Sequence, residues 1–418
     1  MNLMPIIRAL SRYKIRVGLL IIQIALTMAI VSNAFFIIAK NIQRIDRATG
    51  LNESGLFLVT QRRIEPTDAA ASPSLADRKA WMLEDIAALR RSLYVDAVSV
   101  INTLPLTGSN FRSGGADRQA DQKNPGVDVS FYYGDENMLS TLGLRLIAGR
   151  SFNARDIDYT ADASAETPDT VIITRALANS LFPNANALGR QVYFDGGSSP
   201  STVVGVVDAL QSASVAGWAK SFEWNSVIVP KIQVDSYTSY VVRAKPHMLE
   251  KAMLDARKQL YAVSRLRILN DHSVTSFAEI RRNAYKPDFG VSVVMGAICL
   301  ILLTITTGGI VGVSSSWVAQ RRKQIGIRRS LGARKIDIAM HFVLENALVT
   351  AAGVLLGFLA SFALNTYLRK NFEINLLPLS FLLVGVCVVF VVSLTGVAVP
   401  AWRGSKVSPM VATRNIWR

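Results

Sequence analysis

FGVSVVMGAICLILLTITTGGIVGVSSSWVAQ, Phe289 to Gln320, carries no charge, and RRKQIGIRRSLGARK, Arg321 to Lys335, follows it with seven Lys or Arg in fifteen residues. A helix needs about 20 apolar residues to cross the hydrocarbon core, and Lys and Arg in short loops favour the cytoplasmic side. The two segments together read as a membrane helix leaving the bilayer at its inner face. Three more uncharged stretches are long enough to span: Val17 to Ala39, Asn346 to Leu368 and Ile374 to Trp402. Basic residues mark their inner ends too, with Arg8, Arg12, Lys14 and Arg16 before the first and Arg403, Lys406, Arg414 and Arg418 after the last.

Composition agrees with a membrane class. Half of the 418 residues are apolar and 18% are charged, an unusual balance for a soluble chain of this size. The net charge of +16 invites a nucleic-acid reading, but fifteen of the basic residues lie in the three inner segments beside a single acid, Asp337. The surplus is a topology signal, and no nucleic-acid partner is expected. The first apolar stretch exceeds the h-region of a signal peptide and lacks a clear A-x-A site, so it reads as a retained anchor. The expected arrangement is spans at 17–39, 289–315, 341–368 and 378–402, joined by a cytoplasmic segment at 316–340 and a short outer loop at 369–377, with a cytoplasmic tail at 403–418. Ahead of the first span, Ile6, Leu10 and Tyr13 fall on one helical face and Arg8, Arg12 and Arg16 on the other. Residues 1–16 thus read as an interfacial helix on the inner-leaflet lipid; a plain basic flank is the simpler alternative.

Residues 40–288 have mixed α/β character and form a domain inserted between the first and second spans. Gly55 to Thr60 and Ala97 to Ile101 read as strands around a helix opened by a Ser74/Asp77 capping box, with Met82, Ile86, Leu89 and Leu93 on one face. Ser239 to Ala244, a helix with Leu249, Met253, Ala256 and Leu260 aligned, and Arg265 to Leu269 repeat the order. Two βαβ halves, at about 55–103 and 239–270, are therefore expected to form a split βαβ sandwich. Between them, about 104–225 reads as a second subdomain with strands at Thr170 to Thr174, Gln191 to Phe194 and Thr202 to Val207. Thr275 to Tyr285 reads as a helical stalk towards the second span, with Pro287 able to kink or break it. The only cysteines, Cys299 and Cys387, lie in apolar runs, so this domain has no disulfide; at roughly 250 residues it can bury a sufficient core without one.

The chemistry of an ATPase is missing. No glycine is followed by lysine, which excludes a Walker A loop, and His247, His272 and His341 are too scattered for an HExxH zinc site. There is no G-x-S-x-G elbow. No catalytic, metal or cofactor-binding residue is expected in the chain.

The segment Arg322-Lys323-Gln324-Ile325-Gly326-Ile327-Arg328-Arg329-Ser330-Leu331-Gly332-Ala333, followed by Ile336, Phe342, Leu344, Glu345, Gly353 and Gly357, resembles the signature of the FtsX-like permease family. The ending Pro400-Ala401-Trp402-Arg403, with Lys406, Pro409 and Ala412, is similar to the same family's. In the inserted domain, Gly149-Arg150-Ser151-Phe152 with Asp156, Leu181-Phe182-Pro183, Gly189 and Val203-Val204-Gly205-Val206-Val207 resemble the periplasmic core domain of MacB-like transporters. The resemblance implies a multi-pass permease of the bacterial inner membrane with its large domain in the periplasm. It further implies a dimeric type VII ABC transporter that works by mechanotransmission, with a second permease copy or paralogous permease. ATP and Mg would be bound by a separate ABC ATP-binding subunit. The most direct function is efflux of a hydrophobic or peptidic compound through a periplasmic adaptor and an outer-membrane duct; a lipoprotein-releasing permease and an FtsX-like regulator of a cell-wall hydrolase are the alternatives. Arg322, Gln324, Ile325, Gly326, Arg328, Arg329, Leu331, Gly332 and Ala333 are the implied ATPase-coupling residues, with Gln324 where glutamate is usual. Gly353 and Gly357 form a GxxxG helix-packing motif, open to a partner within the chain or across a dimer. Glu345 is a candidate for transmission, or simply a carboxylate favoured near the start of a helix.

Overall fold

The computed structural model describes residues 14–66, 73–122, 126–162, 167–183, 185–372 and 376–406. The expected interfacial helix lies mostly outside them, as do Pro409, Ala412, Arg414 and Arg418; Lys14 to Arg16 form the first turn of α1 (Lys14–Ile45), continuous with the first span.

The chain divides into two compact units, residues 1–46 with 287–418, and residues 47–286. The second begins with β1 (Leu56–Arg63), α2 (Leu75–Arg90) and β2 (Val95–Val100). Ser74 and Asp77 close the expected capping box on α2, and the resulting face buries Met82, Ile86 and Leu89. Leu93 does not join that face: α2 ends before it, and its side chain is 79% exposed.

The chain then builds β3 (Arg112–Asp117), β4 (Val127–Tyr133), α3 (Met138–Leu142), β5 (Leu146–Gly149), β6 (Asp158–Thr160), β7 (Thr170–Thr174), α4 (Arg175–Leu181), β8 (Gln191–Phe194), β9 (Ser201–Val207), β10 (Ser226–Val229) and β11 (Lys231–Gln233). It returns to the first layer with β12 (Tyr237–Ala244), α5 (Leu249–Val263), β13 (Arg267–Ile268) and β14 (Val274–Ser276). The first sheet has the order β13-β1-β12-β2, with β14 also on β1 and every pairing antiparallel. That is the interleaving of two βαβ units, with the inner strand of each half lying between strands of the other. Its core joins Phe57, Val59, Tyr240 and Val242 to Met82, Ile86 and Leu89 of α2 and Ala252, Ala256 and Leu260 of α5.

The inserted subdomain is a seven-stranded sheet, β5-β9-β7-β10-β4-β3-β8, in which β8 pairs with β9 as well as β3. Six of the strands thus close into a circuit, with β5 left outside it as an edge on β9. Gly149 and Gly205 allow the approach of β5 to β9: Gly149 has φ +81°, and a Cβ there would sit 2.2 Å from the Val204 carbonyl oxygen. Arg150 then grips Asp156 at 2.6 and 3.2 Å while Asp156 accepts from the Asn153 amide. The Gly-Arg-Ser-Phe motif is thus a self-bonded turn.

At the end of the unit, α6 (Phe277–Ala284) is capped by Ser276. The helix is not continuous with the membrane span: it stops at Tyr285, and α7 (Lys286–Gln320) starts afresh with Pro287 in its first turn, where a missing N–H costs nothing. The two ends of the unit are tied together, since Arg281 donates to the Arg47 carbonyl at 3.0 Å and pairs with Glu53.

The membrane unit comprises α1, α7, the short α8 (Arg322–Ser330), α9 (Lys335–Phe372) and α10 (Leu379–Ser405). Four of these are long and apolar enough to span a bilayer. With the inserted α/β domain between the first two, this is the expected fold class. Gly353 and Gly357 of α9 face α1 of the same chain: added Cβ atoms would lie 2.6 Å from Ile24 Cγ2 and 2.9 Å from Met28 Cβ. Asn346, Thr350, Ser361 and Asn365 are buried on the same helix, and the spacing sets small and polar residues along one stripe, the means by which helices approach closely in lipid.

Candidate functional site: the basic helix between the second and third spans

The basic segment is a joint, a helix and a turn. α7 ends at Gln320; Arg321 leaves helical geometry at φ −102° and ψ 10°, and α8 begins at Arg322. Gly332 has φ +94°, in the left-handed region that glycine enters without a steric penalty, and Arg334 leads into α9. The span of 316–340 therefore also contains the inner end of α7 and the first turn of α9.

α8 has two faces. Ile325 and Gly326 are buried, with Ile325 in the cluster of Trp317, Val318, Ile338, Phe342 and Ala401. Arg322, Lys323, Gln324, Ile327, Arg328 and Ser330 are exposed, as are Leu331 and Gly332 beyond the helix, while Ala333 is half-buried. Leu331 is 82% exposed and Ile336 69%. Apolar side chains among the exposed cations Arg322, Lys323 and Arg328 make a surface suited to an apolar and acidic groove.

Two side chains fasten this helix. Arg321 Nη1 donates to Glu345 Oε1 at 2.6 Å, with Arg321 15% and Glu345 0% exposed in their side chains. His341 Nε2 stands 3.5 Å from the same oxygen. Arg329 Nη1 donates to the Ser405 carbonyl at 2.8 Å, filling one of the acceptors left open at the end of α10. Of the expected coupling residues, then, Ile325, Gly326 and Arg329 face the bundle, Ala333 is half-buried and the others are exposed.

The helix-start account of Glu345 does not hold. α9 begins at Lys335, so Glu345 lies beyond the first turn, within which the dipole acts. Its charge is met by Arg321, a residue outside the family-like motif. The sequence carried no local signal for this pair, whose members are 24 residues apart and are brought together by the packing of α9 against the joint. Nearby, Asn346 Nδ2 donates to Ser393 Oγ at 2.6 Å and Thr350 shares a 2.5 Å bond with the same hydroxyl, joining α9 to α10.

Comparison with known proteins finds two family models and a set of similar chains. The FtsX-like permease C-terminal family model matches residues 296–409, and the MacB-like periplasmic core domain model matches residues 18–259. The macrolide export ATP-binding/permease protein MacB 1 of Yersinia pestis bv. Antiqua is 25% identical over 416 residues, 97% of this chain and 59% of that protein. The probable syringafactin export ATP-binding/permease protein SyfD of Pseudomonas syringae pv. tomato is 26% identical over 365 residues, covering 82% and 50%. MacB of Neisseria meningitidis serogroup A is 25% identical over 242 residues, 56% of this chain and 35% of that one. The chain thus spans 35% to 59% of the length of these relatives. Among solved structures, the periplasmic region of MacB from Actinobacillus actinomycetemcomitans matches with a TM-score of 0.33 and 17% identity, over 58% of this chain and 97% of that one. The extracellular domain of the noncanonic ABC-type transporter YknZ matches with a TM-score of 0.31 and 16% identity, covering 51% and 100%.

Proposed function

Because the chain belongs to the MacB-like family of FtsX-type permeases, we propose that it is the permease subunit of an ATP-driven ABC transporter. A separate ATP-binding subunit holds ATP and Mg and docks on α8. The observation that carries this reading is the outward face of α8, where Ile327 and Leu331 stand exposed among Arg322, Lys323 and Arg328. An apolar surface of this kind on an aqueous loop has a partner to meet.

In this reading the transporter contains two permeases, identical or paralogous, in the bacterial inner membrane. ATP-driven displacement of α8 passes through the spans to the inserted domain, which acts in the periplasm with an adaptor and an outer-membrane duct. The relatives' names, macrolide export and probable syringafactin export, favour efflux of a hydrophobic or peptidic compound over lipoprotein release or hydrolase regulation. Gln324 is exposed on the docking face, so the missing carboxylate alters a contact with the partner and not the packing of the chain.

Co-purification from the native membrane tests the docking. Leu331→Glu places a charge on an apolar contact without touching the bundle, and it should cut retention of the ATP-binding subunit at least tenfold, about 1.4 kcal/mol. Retention equal to wild type would remove α8 from the interface.

A further inference from the structure

α8 is held at its two ends by two different spans. Arg321, at the joint before it, reaches Glu345 of α9; Arg329, near its end, reaches the last carbonyl of α10. α7, to which α8 is joined covalently, has only 11% of its most apolar window buried in the protein, against 56% for α1.

Stability alone does not explain the Arg321–Glu345 pair. Glu345 is fully buried, and its second oxygen, Oε2, has no hydrogen-bond partner among the described residues. Burying a half-satisfied carboxylate is no more favourable than filling the site with apolar side chains, and the best-attested use of a buried ion pair is to fix one arrangement among several. Here the arrangement at stake is the joint. Arg321 departs from helical dihedrals at φ −102° and ψ 10° while its N–H still donates to the Trp317 carbonyl at 3.1 Å and its carbonyl accepts from the Ile325 N–H at 2.9 Å, so α7 and α8 meet in a single-residue bend whose angle the side-chain contact of Arg321 can set.

We propose that the Arg321–Glu345 ion pair is the positioning contact that makes α8 move as one piece with α9 and α10, so that displacement of α8 is delivered to those spans and not along α7. The proposal rests on the reading of α8 as the ATPase-docking helix, but the anchorage itself can be tested without a partner. Arg329 completes it from the other end, and the Asn346–Ser393–Thr350 bonds couple the two receiving spans.

The experiment is backbone hydrogen exchange on the full chain in lipid nanodiscs, comparing wild type, Glu345→Gln, Arg321→Lys and the exchanged pair Arg321→Glu/Glu345→Arg. Glu345→Gln should speed exchange of the Ile325 to Leu331 amides by roughly tenfold or more, the loss of one charge-assisted bond, while the amides of β1 and β12 stay as in wild type. Arg321→Lys and the exchanged pair should recover most of the protection, which a merely packing-related defect would not. The same proteins are then mixed with the ATP-binding subunit that co-purifies with the wild-type chain. Glu345→Gln should bind it within about twofold of wild type, yet its ATP hydrolysis should no longer respond to the permease. Unchanged exchange, or loosened exchange with a full ATPase response, overturns the proposal. If no such subunit binds the wild-type chain, the docking reading falls, and the exchange result alone decides the anchorage. Should Glu345→Gln fail to insert, Arg321→Gln serves in its place.

Discussion

Asp85 shows what a single residue contributes here. It is fully buried and accepts from Arg63 at 3.0 Å, Arg267 at 2.9 Å, Gln61 at 2.6 Å and Tyr240 at 3.1 Å. Burial and the adjacent Asp85 push the Tyr240 phenol up, so it stays a donor at every physiological pH. Asp85→Ala leaves two arginines facing each other in the core, a change worth about 3–5 kcal/mol. The melting midpoint of the inserted domain, followed calorimetrically, should fall by on the order of 10 °C; a shift under ~2 °C would show that the arginines find other partners. Asp135 has the opposite sense. Burial, the largest influence, raises its carboxyl above the ordinary 3.8 despite bonds from Ser99 and Asn137. A raised acid is more protonated in the folded state, so its cost to stability is absent below about pH 3.8 and grows as pH rises through the folded value. Asp135→Asn should therefore raise the midpoint at pH 7 and leave it unchanged near pH 3, measured on the same calorimetric transition.

At the scale of elements, α9 and α1 make the principal seam of the membrane unit. Gly357→Leu would drive a side chain into Met28 and the Ala25 carbonyl. Overpacking of this kind costs about 1–3 kcal/mol, and here it also splits a helix pair, so thermal stability in detergent should drop and α1 should become more accessible to protease. Gly312→Leu is the control, since nothing lies within 4 Å of its Cβ position, and equal damage from both would refute the assignment of the seam. These elements differ in how well the sequence announces them. Uncharged runs reveal the spans because a bilayer requires about 20 apolar residues wherever they occur. The strands Thr170–Thr174 and Gln191–Phe194 coincide with their β-rich runs because their local preferences agree with their pairing. The closure of β8 onto β9 was not legible, since such short strands do not name their partners. Nor was the Asp85 cluster, whose members are up to 206 residues apart. At the basic helix, motif resemblance named the exposed residues but not Arg321, because the resemblance carries a residue pattern and the ion pair is a three-dimensional fact.

For the whole molecule, orientation is the first property to verify. With Cys299 and Cys387 replaced by serine, single cysteines at Ser113 and Ser330, both exposed, should behave oppositely towards an impermeant thiol reagent. Spheroplasts should label at 113 while intact and at 330 only after lysis; the reverse would discard the proposed transporter orientation. The tie between Arg281 and the Arg47 carbonyl has a consequence for how such proteins diversify. A domain whose entry and exit are stapled side by side asks nothing of its host but a gap of two adjacent chain ends. It can be enlarged, exchanged or lost as a cassette while the four-helix frame remains, and selection on cargo can then act on the insert without reopening the packing of the spans.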